Sequence, residues 1–131
     1  MENLDNKTKI VEDFKLGNYA DLIEKNPCHI ATVSDNNLPN LSVASDIKIL
    51  DDETILISNN EMIHTPDNII ANNNVVITSF NDSWAGVRLT GKARYYTDGE
   101  YFDICNKLFN NETATPKGVI IVRVEKVEGI A

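Results

Sequence analysis

Cysteine is scarce: the 131-residue chain holds two, Cys28 and Cys105. Neither stands in a C-x-x-C pair, so the spacing of a cysteine metal site is missing. His29 follows Cys28, but neighbours on a strand point to opposite faces and do not chelate together. Both thiols are expected to be structural and reduced, as in a cytoplasmic protein. Long apolar runs are missing too, and nothing approaches the ~20 residues of a membrane span. The acidic start, Met1-Glu2-Asn3-Leu4-Asp5, has no apolar stretch behind it, so no secretory signal is expected. Basic residues are few: 12 Lys+Arg face 20 Asp+Glu, for a formal net charge of −8. That balance argues against nucleic acid as a partner and against docking on an anionic membrane. It leaves room for a small anionic ligand at one locally positive site. There is no GxSxG, no GxGxxG and no P-loop, and His29 and His64 lack metal-ligand spacing. The acidic pairs Glu12-Asp13 and Asp51-Asp52 read as solvated surface. No catalytic residue and no metal ligand is assigned.

What is present is ordinary globular material, 42% hydrophobic and 24% charged. Residues 1–131 are expected to form one domain, burying roughly two-thirds of the surface the unfolded chain exposes. Residues 6–25 predict two short helices. Ile10, Val11 and Phe14 share a face of the first, which stops at Gly17. Asn18 caps the second, with Tyr19, Leu22 and Ile23 on its apolar side. From Cys28 the period becomes two. Strands are expected over 28–34, over 40–50 with a kink near Ser45-Asp46, and over 54–58, 75–80, 84–96 and 118–127. Asp35-Asn36-Asn37, Asp51-Asp52-Glu53 and Asn81-Asp82-Ser83 supply turns. Thr65-Pro66-Asp67 reads as the cap and first turn of a short helix with Ile69, Ile70 and Ala71 on its apolar side. A further helix after Gly99 places Tyr101, Ile104, Cys105 and Leu108 at i, i+3, i+4 and i+7. Gly91, inside a strand, signals a bulge or a close backbone approach. Six or seven mostly antiparallel strands of this kind hide their edges by closing, so the expected fold is mainly β, a barrel with peripheral helices.

Two places could hold a ligand. The stretch from Ser58 to Asn68 leaves a strand and enters a helix through a polar loop. Free N–H groups at a helix start suit an anion, Thr65 adds a hydroxyl, and His64 adds a donor that can become cationic. The second place is the basic strand face of Arg88, Lys92 and Arg94. Trp84, at the entry to that strand, could stack on a planar ligand.

The order of these motifs resembles the pyridoxamine 5'-phosphate oxidase-like family of FMN-binding split barrels, in particular its small bacterial FMN-binding proteins. The stretches that carry the resemblance are Cys28–Ser34, Leu38–Val43, Ile55–Ser58, His64–Val75, Val87–Ala93 and Tyr96–Gly99, from about Leu22 to Val127. The resemblance implies a six- to seven-stranded antiparallel split barrel with FMN in a groove at a homodimer interface. The FMN phosphate would sit at the start of the short helix, on His64 and Thr65, with Ser58, Asn60 and Met62 just before them and Asn68 on the first turn. The backbone of Ser45, Asp46, Ile47 and Lys48 would run beside the isoalloxazine ring. Trp84 and Arg88 would reach the partner subunit's cofactor. His64 replaces the family's usual lysine, so affinity is expected to fall as the imidazole becomes neutral with rising pH. The ending Val127-Glu128-Gly129-Ile130-Ala131 lacks the basic, His-bearing terminus of true pyridoxamine phosphate oxidases, so that particular reaction is not expected. The implied role is an FMN-dependent oxidoreductase or electron carrier with a small-molecule donor or acceptor. The alternatives are a non-catalytic flavin-binding or sensing module, and a split barrel holding haem or a deazaflavin.

Overall fold

The computed structural model describes residues 9–10 and 16–130. Eight strands appear: β1 (Lys9–Ile10), β2 (Cys28–Val33), β3 (Pro39–Ala44), β4 (Ile47–Ile49), β5 (Thr54–Asn59), β6 (Asn74–Phe80), β7 (Gly86–Tyr96) and β8 (Gly118–Ile130). Three helices accompany them: α1 (Ala20–Lys25), α2 (His64–Ala71) and α3 (Glu100–Phe109). The strands form one antiparallel sheet in the order β3-β2-β6-β7-β8-β5-β4, with the two-residue β1 on β8. The seven longer strands are the expected mainly β, antiparallel split-barrel set. The two ends of the sheet, β3 and β4, follow one another in sequence and are joined at Ser45-Asp46, where the kink was expected.

Alternation along the strands produces the core. In β2 the inward residues Cys28, Ile30 and Thr32 are buried, and in β7 Val87, Leu89, Gly91 and Ala93 are buried in turn. They pack with Ile55, Ile57, Ile77, Ile120 and Val122 inside the rolled sheet. β5 is buried on both faces, because Leu56 points the other way and packs with Cys105, Val119 and Ile121 under α3. Burying an aliphatic side chain of this size stabilises by about 1.5–3 kcal/mol relative to exposure. Burial pushes the Cys28 thiol up to about 11 and also raises that of Cys105. A β-bulge lies where the β7–β8 register shifts between Thr90 and Gly91: Gly91 faces Val124 and Thr90 faces Lys126. A Cβ at Gly91 would sit 2.3 Å from the Arg123 carbonyl oxygen, so only glycine lets the two backbones approach this closely.

Several local expectations give way. Lys9–Ile10 pair with Gly129 and Glu128 as strand rather than helix. Val11 and Phe14, expected on the same helix face, lie outside the described residues. Leu16–Tyr19 form a 3-10 turn that runs through Gly17, and Asn18 sits inside that turn and caps nothing, since Tyr19 is the cap residue of α1. Leu16 is fully buried, so a tertiary contact, not a local stop, sets this turn. α2 begins two residues earlier than its Thr65-Pro66 signal suggests: Ile63 is the cap and Thr65 lies within the helix. On α2 only Ile69 of the three apolar residues is buried, while Ile70 and Ala71 face outward. On α3, Leu108 is exposed, and Phe102 and Phe109 pack on the outer cluster instead. Trp84 belongs to the turn before β7, not to the strand.

Candidate functional site

The corner between β3 and β4, the end of β5 and the start of α2 enclose a groove of about 460 Å3. Its walls bring together five of the expected residues, Ser45, Ser58, Asn60, Met62 and His64, with Asn40, Ser42 and Glu61 added. A chain of side-chain hydrogen bonds shapes its floor. Ser58 Oγ donates to Asn60 Oδ1 at 2.8 Å, and Asn60 Nδ2 donates to Asp46 Oδ2 at 2.9 Å. The Ser58 amide donates to the Asp46 carbonyl at 2.9 Å, which fastens the β3–β4 corner onto β5. Asn59, fully interior, receives the Met62 amide at 2.7 Å and donates to Tyr95 Oη at 2.8 Å, so it holds the loop that leads into α2.

Thr65 and Asn68 do not open into the groove; they bolt α2 to the sheet beneath it. Thr65 is completely buried, with its hydroxyl 2.7 Å from Ser42 Oγ and 3.3 Å from Asn40 Nδ2. Asn68 Nδ2 donates to Thr32 Oγ1 at 3.0 Å. The cap residue Ile63 carries no side-chain acceptor, so the first backbone N–H groups of α2 have no side-chain cap. His64 stands exposed at that same end. Among the described residues, no Lys or Arg lines the groove. Lys48 turns toward α1, with Nζ 3.9 Å from Glu24 Oε2, an oxygen that also accepts from the Ile49 amide at 2.8 Å. Ile47 is buried in the core.

The rim is apolar. Leu41 and Val43, on the outer face of the terminal strand β3, are 65% and 58% exposed, and Ile63 before α2 is 77% exposed. Trp84 and Arg88 lie elsewhere, outside the groove. Trp84 is exposed in a turn and sets its ring edge-on to Phe80, with centroids 6.1 Å apart. Arg88 makes a two-pronged contact with Glu128, 3.1 Å through each of Nε and Nη2. That pair raises the guanidinium pKa and holds the Glu128 carboxyl below its usual value, each chiefly through the shared hydrogen bonds.

Sequence reasoning missed Asn40, Ser42 and Asn59. A signal for the first two was present: on β3 the polar residues Asn40 and Ser42 share the face of buried Ala44, while the apolar Leu41 and Val43 face out. Inverted alternation of that kind marks a strand whose inner side serves something other than the core. Asn59 carried no local sign, because its partners Met62 and Tyr95 come from a loop and a distant strand.

Among the described residues, no group of three or more His, Cys, Asp and Glu side chains is placed to hold a metal ion, and no helix is long and apolar enough to cross a membrane. The chain is 31% identical to an uncharacterised protein of Methanocaldococcus jannaschii over 109 residues, 80% of this chain and 73% of that one. The crystal structure of HupZ from Group A Streptococcus superposes with a TM-score of 0.78 at 28% identity, covering 85% of this chain and 90% of that one. An FMN-binding protein of Syntrophomonas wolfei subsp. wolfei shares the fold, with a TM-score of 0.75 at 20% identity over 88% of this chain and 86% of that one. Residues 17–131 match the family described as pyridoxamine 5'-phosphate oxidase, and a match over so much of the length makes this chain a member of that family.

Proposed function

We propose that the chain is an FMN-binding flavoprotein, an oxidoreductase or electron carrier, with the cofactor in the groove at the start of α2. The observation that carries this reading is the groove itself: about 460 Å3 of polar-walled space ending on uncapped helix amides and bordered by an exposed apolar strand. Cofactor pockets run from roughly 300 to 1,000 Å3 and combine apolar walls with a few fixed polar groups. The donor set suits a phosphate monoester: the His64 amide and imidazole offer hydrogen bonds, and the helix start adds positive potential. Ser58 and Asn60 border the same end, and the Ser45–Lys48 backbone is the stretch available to a flat ring system. The flavin would supply the electron-accepting chemistry, and the protein would supply binding, orientation and exclusion of water. Membership of the family, and the FMN-binding relative with the same fold, support the choice of cofactor.

A homodimer belongs to this reading. Leu41, Val43 and Ile63 make an apolar border beside the groove, and a second copy would cover both. Trp84 and Arg88, remote from the groove of their own chain, are the residues we assign to the partner's cofactor.

The test is titration of FMN into the full chain at pH 7, followed by quenching of flavin fluorescence, with His64→Ala in parallel and sedimentation of both proteins. One FMN per chain, a dimer, and about tenfold weaker binding by the variant are expected, equivalent to about 1.4 kcal/mol. A monomer that leaves micromolar FMN unquenched would overturn the proposal.

A further inference from the structure

A second concave surface shares no lining residue with the groove. It lies on the outward face of β7, β8 and β5, has a volume of about 420 Å3, and is lined by Lys92, Arg94 and Arg123 with Tyr96 and Tyr101. The sheet register places Lys92 directly opposite Arg123, and Arg94 follows Lys92 on the same face. Like charges directly opposed across two strands are destabilising. Among the described residues Glu125 is the one carboxylate on the wall, against the three cations, in a chain whose net charge is −8. Among the described residues Lys25, Lys48, Arg88 and Lys126 stand in ion pairs, whereas Lys92, Arg94 and Arg123 do not. Lys92 Nζ donates to the neutral Asn74 Oδ1.

The rest of the cleft is aromatic and apolar. The rings of Tyr96 and Tyr101 lie 5.5 Å apart at 44° and, with Ile121, form its wall. A second hollow of about 320 Å3 adjoins it, sharing Asn73, Arg94 and Tyr96, and extends to Ile69 and Ile70 of α2. Ile70 is 75% exposed there. One end therefore concentrates positive charge, and the other offers ring faces and an uncovered isoleucine.

We infer that this cleft is a second ligand site, for a small phosphorylated molecule with an aromatic body, of the mononucleotide type. Cations gathered in a concave surface raise the local concentration of anions. A phosphate dianion answers them better than a single carboxylate, and arginine meets its oxygens in pairs. The aromatic body would rest on the tyrosines and reach toward Ile70. The cleft stands apart from the FMN groove, so this assignment does not depend on that proposal.

The experiment uses 15N-labelled full-length protein saturated with FMN and titrated with adenosine 5'-monophosphate. Saturable shifts are expected in the amides of 92–96 and 121–123, with those of 64–68 unmoved. Arg94→Ala and Arg123→Ala, both on the exposed face, should each weaken binding about tenfold. Adenosine and inorganic phosphate should each bind more weakly than the whole nucleotide. Lys92→Gln should lose affinity and yet raise the thermal midpoint of the ligand-free protein, because it removes the repulsion from Arg123; a purely structural lysine would lower that midpoint. The assignment is overturned by unmoved cleft amides at millimolar nucleotide, by shifts confined to 64–68, or by phosphate binding as tightly as the nucleotide. If FMN itself fails to bind, the same titration on the cofactor-free chain still reads the cleft amides separately.

Discussion

At the start of α2 the described residues of the groove offer hydroxyls, amides and one imidazole, and no Lys or Arg; beyond its far end the cleft offers three cations and two phenol rings. The first surface is built mainly from groups that are already committed to the fold. Ser58, Asn60 and Asp46 are bonded to one another, and Thr65 ties α2 to β3. The second surface is built from side chains that pay no such structural duty and repel each other. A neutral, bonded wall selects by shape and hydrogen-bond geometry. A strained cationic wall selects by charge. Arg88 gives the contrast its control, since it shares the outward face of β7 with Lys92 and Arg94 but is answered by Glu128.

The change with the largest expected effect strikes the cleft's foundation. Gly91→Ala puts a methyl 2.3 Å from the Arg123 carbonyl and must part β7 from β8 beside Lys92. A loss of about 3 kcal/mol in urea denaturation is expected. A loss under about 1 kcal/mol would mean the bulge yields easily and does not fix the spacing of the cations. The groove has its counterpart in Thr65→Val, which keeps the shape and leaves Ser42 without its buried partner. We expect a stability loss of about 1–2 kcal/mol. FMN affinity should fall while binding of adenosine monophosphate is unchanged; equal losses at both places would dissolve the distinction between them. The smallest effect tests the control. Burial of the Glu128 carboxylate beside a half-exposed arginine suggests about 1 kcal/mol for the pair. Because the folded carboxyl lies below its ordinary value, this stability is present above that value and fades as pH falls through the folded one. Glu128→Gln should therefore be less stable at pH 7 and converge on the parent in acid, as followed by thermal melts across pH.

The period-two strands were legible because each residue's burial depends on its neighbours at i±2, a purely local relation. The kink at Ser45-Asp46 and the bulge at Gly91 were legible for the same reason. The helix starts were not. Thr65 looks like a cap in sequence, but its hydroxyl is claimed by Ser42, 23 residues away. Ile10 looks helical beside Val11 and Phe14, but its segment pairs with β8 at the other end of the chain. The groove's elements were foreseeable from the resemblance, whereas Asn40, Ser42 and Asn59 needed the third dimension. The basic face of β7 was visible as a row of charges. Its closure into a cleft depends on Arg123 and Tyr101, which come from β8 and α3.

The bulge also changes the parity of β8. Up to Val124 the even-numbered residues of that strand are buried and Arg123 is exposed; beyond it Glu125 and Lys126 both face out, and Val127 takes the inner side. One extra residue lets a single thirteen-residue strand keep its apolar side inward while bending with the barrel. Deleting Glu125 would remove the extra step and restore even spacing, with Lys126 still opposite Thr90 and Val127 still opposite Leu89. The bulge is thus the one place in β8 where a single deletion leaves every later side chain on its present face; a deletion elsewhere in the strand would turn the whole following segment over.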